Sequence, residues 1–404
     1  MSPTPSVSPS KKTSLSFLSE WIPVFCLAFS AFIFNTTEFA PIGLLSNIAD
    51  DLHISKAQTG SLITIYAWFV AISSLPLMLL CANIERRKLL GILFVLFIVS
   101  HIISGLAVNF EMLLLSRIGI ASAHAVFWSI TAPLALRVAP ATGKAKALGF
   151  IAAGSSIAMI LGLPLGRTIG LLIGWRATFI CIAILALIGM IILMKRLPLV
   201  PSQHSGSLKS LPTLFKRPTL IGIYLLTVTV VTAHFTAYTY IEPFFLSVSN
   251  FSPNFTTFAL LIFGLSGILG SMLYTKYNNK YPFGSLFAAI TVICLALASL
   301  LPLATYPFFI FGLLIVWGVA TMIFGLSLQT KVIQLAPDAT DVAMSMYSGI
   351  LNIGIGGGAF IGGITTTHLN LNDIGFVGFA IGLVALILCL CMKNSIRQIP
   401  PLSN

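Results

Sequence analysis

The sequence predicts an all-α polytopic membrane protein, with twelve transmembrane helices arranged as two six-helix bundles. Three observations predict this. Hydrophobic residues make up 57% of the chain and charged residues 8%, with a mean hydropathy of +1.02, more apolar surface than one water-soluble core can hide. Apolar runs of roughly 20 residues, the length an α-helix needs to cross about 30 Å of hydrocarbon, recur about a dozen times. A single long polar stretch, residues 197–218, sits at mid-chain and divides six runs from six.

In chain order the runs fall at 22–46, 58–81, 89–108, 111–134, 147–172, 177–194, 219–247, 255–275, 284–305, 307–329, 341–366 and 374–392. The first is too long for a signal-peptide core and lacks a small-residue cleavage pattern, so it reads as a retained helix. The connections are short everywhere except 197–218, which forces successive helices antiparallel. The expected organisation is an N-terminal tail at 1–20, its first 14 residues rich in Ser and Pro and expected to be disordered, and a first bundle at 21–196. A linker at 197–218, a second bundle at 219–392 and a C-terminal tail at 393–404 follow.

The net charge of +12 follows topology. Of the 22 Lys and Arg, only Lys56 and Arg176 fall in loops on one side and only Arg117 and Arg167 within spans; the rest, from Lys11 to Arg397, fall on the other side. That is the positive-inside asymmetry of a protein with both termini cytoplasmic, and it excludes a nucleic-acid-binding face. The six Cys all lie in apolar segments, without the spacing of a disulfide framework or a metal site, and no cofactor is expected.

Small residues form two ridges. Gly154, Ala158, Gly162, Gly166, Gly170 and Gly174 recur every four residues in the fifth span, and Gly354, Gly358 and Gly362 do so in the eleventh. Such ridges let helix backbones approach closely in a membrane. Six helices apart, they are the expected sliding surface between two repeated halves. The Gly-rich run at 354–363 imitates a phosphate loop, but no strand precedes it and packing is the better reading. A second echo pairs Glu38 before Pro41 in the first span with Glu242 before Pro243 in the seventh.

An ionised residue at a helix centre costs about 3 kcal/mol on insertion scales, so those retained have a partner or a task. Glu38 and Arg117 lead, with Glu242, Arg167, His124 and His234 behind them. On the first span Asn35, Glu38 and Ile42 share a face; on the fourth Arg117, Ala121, His124, Trp128 and Thr131 form one polar and aromatic stripe. If the stripes face each other, Arg117 holds Glu38 ionised until a proton or substrate competes, because desolvation and a nearby guanidinium push a carboxyl in opposite directions. The bland alternative is a static ion pair that fixes helix packing. His124 is a candidate proton relay or a neutral hydrogen-bonding group. On the seventh span His234, Tyr238 and Glu242 stand at i, i+4 and i+8, with Glu242 near the helix end and open to solvation. Trp68, Gln329 and Asn352 add polar or aromatic groups in other spans. A cavity lined this way suits a neutral, hydroxyl-bearing solute.

At these positions the sequence resembles a known family. The basic "ERRK" after the second span, "LLLSRIGIASAHAVFWSI" in the fourth and "GLPLGRTIGLLIGWRATF" closing the fifth are similar to the major facilitator superfamily, in its twelve-helix drug:proton antiporter branch. "NTTEFAPIGLL", "LGLPLGR", "HSGSLKSLP", "AHFTAYTYIEPF" and "LAPDATDVAMSMYSGILNIGIG" resemble bacterial sugar efflux transporters. The resemblance implies a bacterial inner-membrane antiporter that exports sugars such as arabinose and galactosides in exchange for protons. It implies a proton-coupling role for Arg117, a packing and leak role for Gly162, Pro164 and Gly166, and a gating role for Arg86, Arg87 and Lys88. That gating motif normally carries Gly and Asp upstream, where this chain has Met78 and Ala82; Glu85 is the carboxylate at hand.

The expected function is therefore proton-coupled sugar efflux by alternating access, with the lipid bilayer, a small-molecule sugar and protons as partners and a monomer as the working unit. Efflux of amphipathic drugs or nucleosides is the alternative. A membrane enzyme is not expected, for no nucleophile elbow, zinc-ligand run or paired carboxylates occur, and a sensor would need a soluble output domain.

Overall fold

The structure is a computed structural model and describes residues 14–140, 143–201, 211–278 and 280–399. Residues 1–13 of the expected N-terminal tail, 202–210 of the linker and the last five residues lie outside it. Among the described residues twelve long helices carry the fold: α1 Ser14–Gly43, α2 Lys56–Leu80, α3 Arg86–Gly105, α4 Phe110–Val138, α5 Lys144–Ile173 and α6 Trp175–Arg196 in the first half. The second half holds α7 Pro218–Tyr238, α8 Pro253–Tyr277, α9 Pro282–Ser299, α10 Pro307–Leu335, α11 Thr340–His368 and α12 Ile374–Cys391. Among the described residues eleven helices are long and apolar enough to cross a membrane; α2 matches them in length but carries Gln58, Thr59, Ser61 and Thr64 along its first turns. The protein is an all-α, multi-pass membrane protein of two six-helix bundles. The end of the bundle where α1 begins and α12 finishes is called the terminal end, and the opposite one the far end.

Two spans expected as single helices are broken, each within four residues of a proline. The first ends at Gly43 and resumes as a short helix Leu45–Asp51. The seventh ends at Tyr238 and resumes as Ile241–Ser247. Proline removes one helix hydrogen bond and its ring crowds the carbonyl four residues earlier. Pro243 therefore disrupts the turn at Thr239, where the second break falls. Pro41 frees the carbonyl of Thr37, which becomes important below.

The glycine ridges face inward, not across the halves. Gly154 and Gly162 of α5 lie against Ala28 and Thr36 of α1, and Gly354, Gly358 and Gly362 of α11 lie against Val231, Thr232, Phe235 and Thr236 of α7. Each half thus uses its ridge to pack its own first helix, which corrects the expected sliding surface. The seams between halves use the other faces, α2 against α11 and α5 against α8. On the first seam Trp68 Nε1 donates to Ile353 O at 3.3 Å and Tyr240 is wedged between Gly60 and Gly362. On the second, a Cβ on Gly264 would stand 2.9 Å from Ile160 Cα.

Lys331, expected with the solvent-side basic residues, is buried at 2% exposure inside α10. Elsewhere the terminal end is polar. Glu85 caps α3, accepting from the backbone N–H groups of Arg87 and Lys88 at 2.8 Å each and of Val200 at 2.7 Å. Arg86 N donates to Val200 O and Arg137 Nη1 to Pro201 O, so the start of the linker is tied to the connection between α2 and α3. Arg87 reaches Met194 O on α6.

Candidate functional site

The first cluster lies in the core of the first half. Pro41 has no N–H to give Thr37 O, and Arg117 Nη1 of α4 takes that carbonyl at 3.0 Å, with Nη2 3.4 Å from Glu38 O. The guanidinium lies over the Tyr66 ring, Cζ 4.2 Å from its centroid, a cation–π contact that partly compensates burial. Arg117 is fully buried and Glu38 is 9% exposed. The two stripes do face each other, but Arg117 binds the backbone at Glu38 rather than its carboxylate, and no side-chain ion pair joins them among the described residues. Instead Glu38 Oε2 lies 3.8 Å from His124 Nε2. His124 in turn meets Tyr66 and Trp128 edge-on, at 5.7 and 6.1 Å between centroids.

Among the described residues, Arg117 Nε, His124 Nδ1 and Tyr66 Oη are buried without a hydrogen-bond partner. Buried polar groups are normally satisfied, so these three leave unused hydrogen-bonding capacity around the Glu38 carboxylate. Asn35 lies half-buried one turn from Glu38 on α1.

Behind this cluster stands a residue the sequence reading passed over. His101 of α3 is fully buried; its Nδ1 lies 2.8 Å from Phe97 O and its Nε2 2.6 Å from Thr37 Oγ1. The carbonyl can only accept, so Nδ1 donates and the Nε2 of a neutral ring accepts the Thr37 hydroxyl. Thr37 is thus held by His101 through its side chain and by Arg117 through its carbonyl. The signal was the polar series Ser100, His101, Ser104 in an otherwise apolar run.

The second cluster lies in the second half. His234 stacks on Tyr238 at 4.9 Å and 20°, and on Phe263 at 6.1 Å and 15°, while Trp317 meets His234 edge-on at 5.3 Å. Phe263 of α8 and Trp317 of α10 were not singled out from the sequence, where isolated aromatics in apolar runs read as core. Asn352 Nδ2 donates to Ser348 O while its Oδ1 is buried without a partner. Gln329 is exposed on α10 towards the terminal end and joins neither cluster.

The third cluster closes the far end. Arg167 Nη1 lies 2.5 Å from Glu242 Oε1, both side chains fully buried. Ser46 donates to Glu242 Oε2 through its N–H at 3.1 Å and its hydroxyl at 2.8 Å. Arg167 also donates to Gly43 O at 2.7 Å, one of the carbonyls the end of α1 leaves free, and to Thr257 Oγ1 at 3.1 Å. Glu242 is therefore neither solvated, as its place near a helix end suggested, nor grouped with His234 and Tyr238. It faces the first half. Lys56 Nζ adds a bond to Ser247 Oγ at 2.8 Å across the same end.

Gly162 packs on Thr36, and Gly166 faces Thr178 and Ala40. Thr168 Oγ1 donates to Pro164 O inside the same helix. Glu85, Arg86 and Arg87 bind backbone of α3, α6 and the linker start, as described above. Among the described residues no group of three or more His, Cys, Asp or Glu is placed to hold a metal ion.

The fold recurs in solved transporters. A crystal structure of a bacterial homolog of the human lysosomal transporter Spinster, inward-facing and unoccupied, superposes with a TM-score of 0.76 at 15% identity, covering 97% of this chain and 100% of the other. Its occupied form gives 0.72 at 16% identity over 98% and 100%. The nucleoside transporter NupG gives 0.71 at 14% identity over 92% and 99%. The family model described as Major Facilitator Superfamily matches residues 27–359. With that match spanning most of the twelve helices, the chain belongs to the Major Facilitator Superfamily and is a membrane transporter of small molecules.

Proposed function

We propose that the protein is a proton-coupled antiporter that exports sugars by alternating access, working as a monomer in a bacterial inner membrane with both termini in the cytoplasm. On this reading the far end faces outward, in keeping with the scarcity of Lys and Arg there. The observation that carries the proposal is Glu38, a carboxylate 9% exposed within the first span with His124 3.8 Å away and the Arg117 guanidinium on its own backbone. A small movement of the Glu38 side chain exchanges His124 for Arg117 as its nearest partner. An ionised Glu38 gains from that exchange and a protonated one does not, so proton binding and conformation are linked. Asn35, Trp128, His234, Tyr238 and Asn352 supply hydrogen bonds and ring faces for a neutral, hydroxyl-bearing solute. The resemblance to sugar efflux transporters supports the substrate class.

Purified carrier in liposomes with an imposed pH gradient tests the reading. Glu38→Gln abolishes uphill sugar movement while sugar exchange persists. Uphill movement at the wild-type rate in that variant removes Glu38 from the mechanism.

A second reading, efflux of nucleosides or amphipathic drugs, draws on the ring cluster of His234, Tyr238, Phe263 and Trp317, which suits a flat solute. Competition of radiolabelled arabinose by galactosides, nucleosides and cationic dyes separates the two.

A further inference from the structure

Glu242 belongs to the second half, yet among the described residues every hydrogen bond its carboxylate makes comes from the first: Arg167 on one oxygen, the Ser46 amide and hydroxyl on the other. The first half keeps its own arrangement without it, since Arg167 also holds Gly43 O. When the halves part at the far end, Glu242 therefore loses three bonds at once and Arg167 loses its charge partner. Separating a fully buried ion pair opposes the step strongly until its two charges are hydrated or one of them is neutralised. The opening itself supplies the remedy, because it admits water and hydrogen ions from that side to a carboxylate that has no partner among the described residues of its own half.

From this geometry we infer that Glu242 is a second proton-binding site, distinct from Glu38, and that its protonation releases a latch formed with Arg167. A protonated Glu242 cannot form the charge-assisted bond to Arg167, so the proton favours the far-end-open state. The ionised form favours closure. The latch closes over ionised Glu242, so this proton is shed before closure and sets the conformational bias without being carried across. The inference rests on the alternating-access reading above.

The other charged and titratable groups around Glu242 do not substitute for it. On α1, Glu38 lies further along the helix beside His124. On the Leu45–Asp51 helix, Asp50 and Asp51 are exposed, and Asp51 is taken by Arg176 at 2.6 Å. On α2, Lys56 bonds Ser247. Tyr240, two residues away, donates to Ala359 O. The far-end part of α8 brings Thr257 and no titratable side chain.

The test reads distance, not transport. Spin labels on the full-length carrier, one in each half at the far end and a second pair at the terminal end, are followed by pulsed dipolar spectroscopy in liposomes from pH 8 to 4 without substrate. The wild-type ratio of far-end-open to far-end-closed carrier is expected to rise once pH falls into the ordinary carboxylate range, by up to about tenfold per pH unit for one linked proton. Glu242→Gln is expected to be more open at pH 8 and to have lost the pH response, while Glu38→Gln keeps it. Glu242→Asp, which keeps the charge, serves as a folding control that retains closure at pH 8 and the pH response. A wild-type ratio that ignores pH, or a Glu242→Gln variant that still follows it, overturns the inference. Because Glu38→Gln is read in the same assay, loss of the Glu38 mechanism leaves this result standing on its own.

Discussion

Arg117 occupies the carbonyl that Pro41 takes out of the helix: its Nη1 lies 3.0 Å from Thr37 O, and the amide that would normally bond that oxygen does not exist. Pro41→Ala restores the amide and gives Thr37 O a competing partner within α1. A hydrogen bond from a charged donor contributes about 1.5 kcal/mol, roughly tenfold in an equilibrium. Uphill sugar transport by Pro41→Ala is therefore expected to fall by roughly tenfold, with the protein folded at least as stably. Wild-type uphill transport in liposomes would show that this grip on α1 is dispensable.

Glu85 is a helix cap before it is anything else. Partial burial works to raise its pKa, but the three backbone N–H groups of Arg87, Val200 and Lys88 outweigh it and hold the carboxyl below its usual value. A depressed folded pKa means stability that is present above the unfolded pKa and lost as pH falls through the folded one. The linker anchor is thus intact at neutral pH and released only below the ordinary carboxylate range. Glu85→Ala removes the cap and costs about 1 kcal/mol. Melting of the detergent-purified carrier is expected to be lower for the variant at pH 7, with the gap to wild type narrowing at pH 3.5; a gap that stays constant removes ionisation from the account.

What the sequence made legible was periodic or compositional. The spans, the shared faces of Glu38 and Arg117, and the ridge of Gly154 to Gly170 all follow from spacing of 3.6 residues in an apolar run. Spacing assigns residues to a face without naming the neighbour, which is why the ridges were expected between halves and pack on α1 and α7 instead. The pairing of Arg167 with Glu242 was out of reach for the same reason, since it joins the fifth span to the seventh and leaves no periodic trace. The break at Thr239 was within reach, because Pro243 removes a helix bond at a known offset, whereas the break at Leu44 falls three residues after Pro41 and has no such signal. His101 was lost among apolar neighbours.

The glycine placements separate folding from cycling. A Cβ at Gly358 would stand 2.6 Å from Phe235 Cβ and 2.7 Å from Thr232 O, within one half. Gly358→Ala is expected to destabilise the protein by about 1–3 kcal/mol through overpacking, seen as a lower melting temperature whatever the conformational state. At Gly264 the obstructing atoms are Ile160 Cα and O at 2.9 and 3.0 Å, across the halves. Gly264→Ala is expected to leave each half intact and to disfavour the far-end-closed arrangement, read as a larger far-end distance between spin labels. Equal melting losses for the two, with no change in distance, would place both glycines in ordinary core packing.

Trp68 offers a further discrimination, because its indole N–H bonds Ile353 O at 3.3 Å and its ring lies 5.6 Å from that of Phe360, both across the α2–α11 seam. A residue that joins the halves governs how fast they exchange, whereas one that touches the solute governs how tightly it binds. Trp68→Phe keeps a ring over Gly356 and deletes the hydrogen bond, worth about 1 kcal/mol net. If the seam role dominates, the maximal transport rate changes several-fold while KM for the exported solute stays within twofold. A shift in KM at constant maximal rate places the indole in the solute path, facing the cleft between the halves.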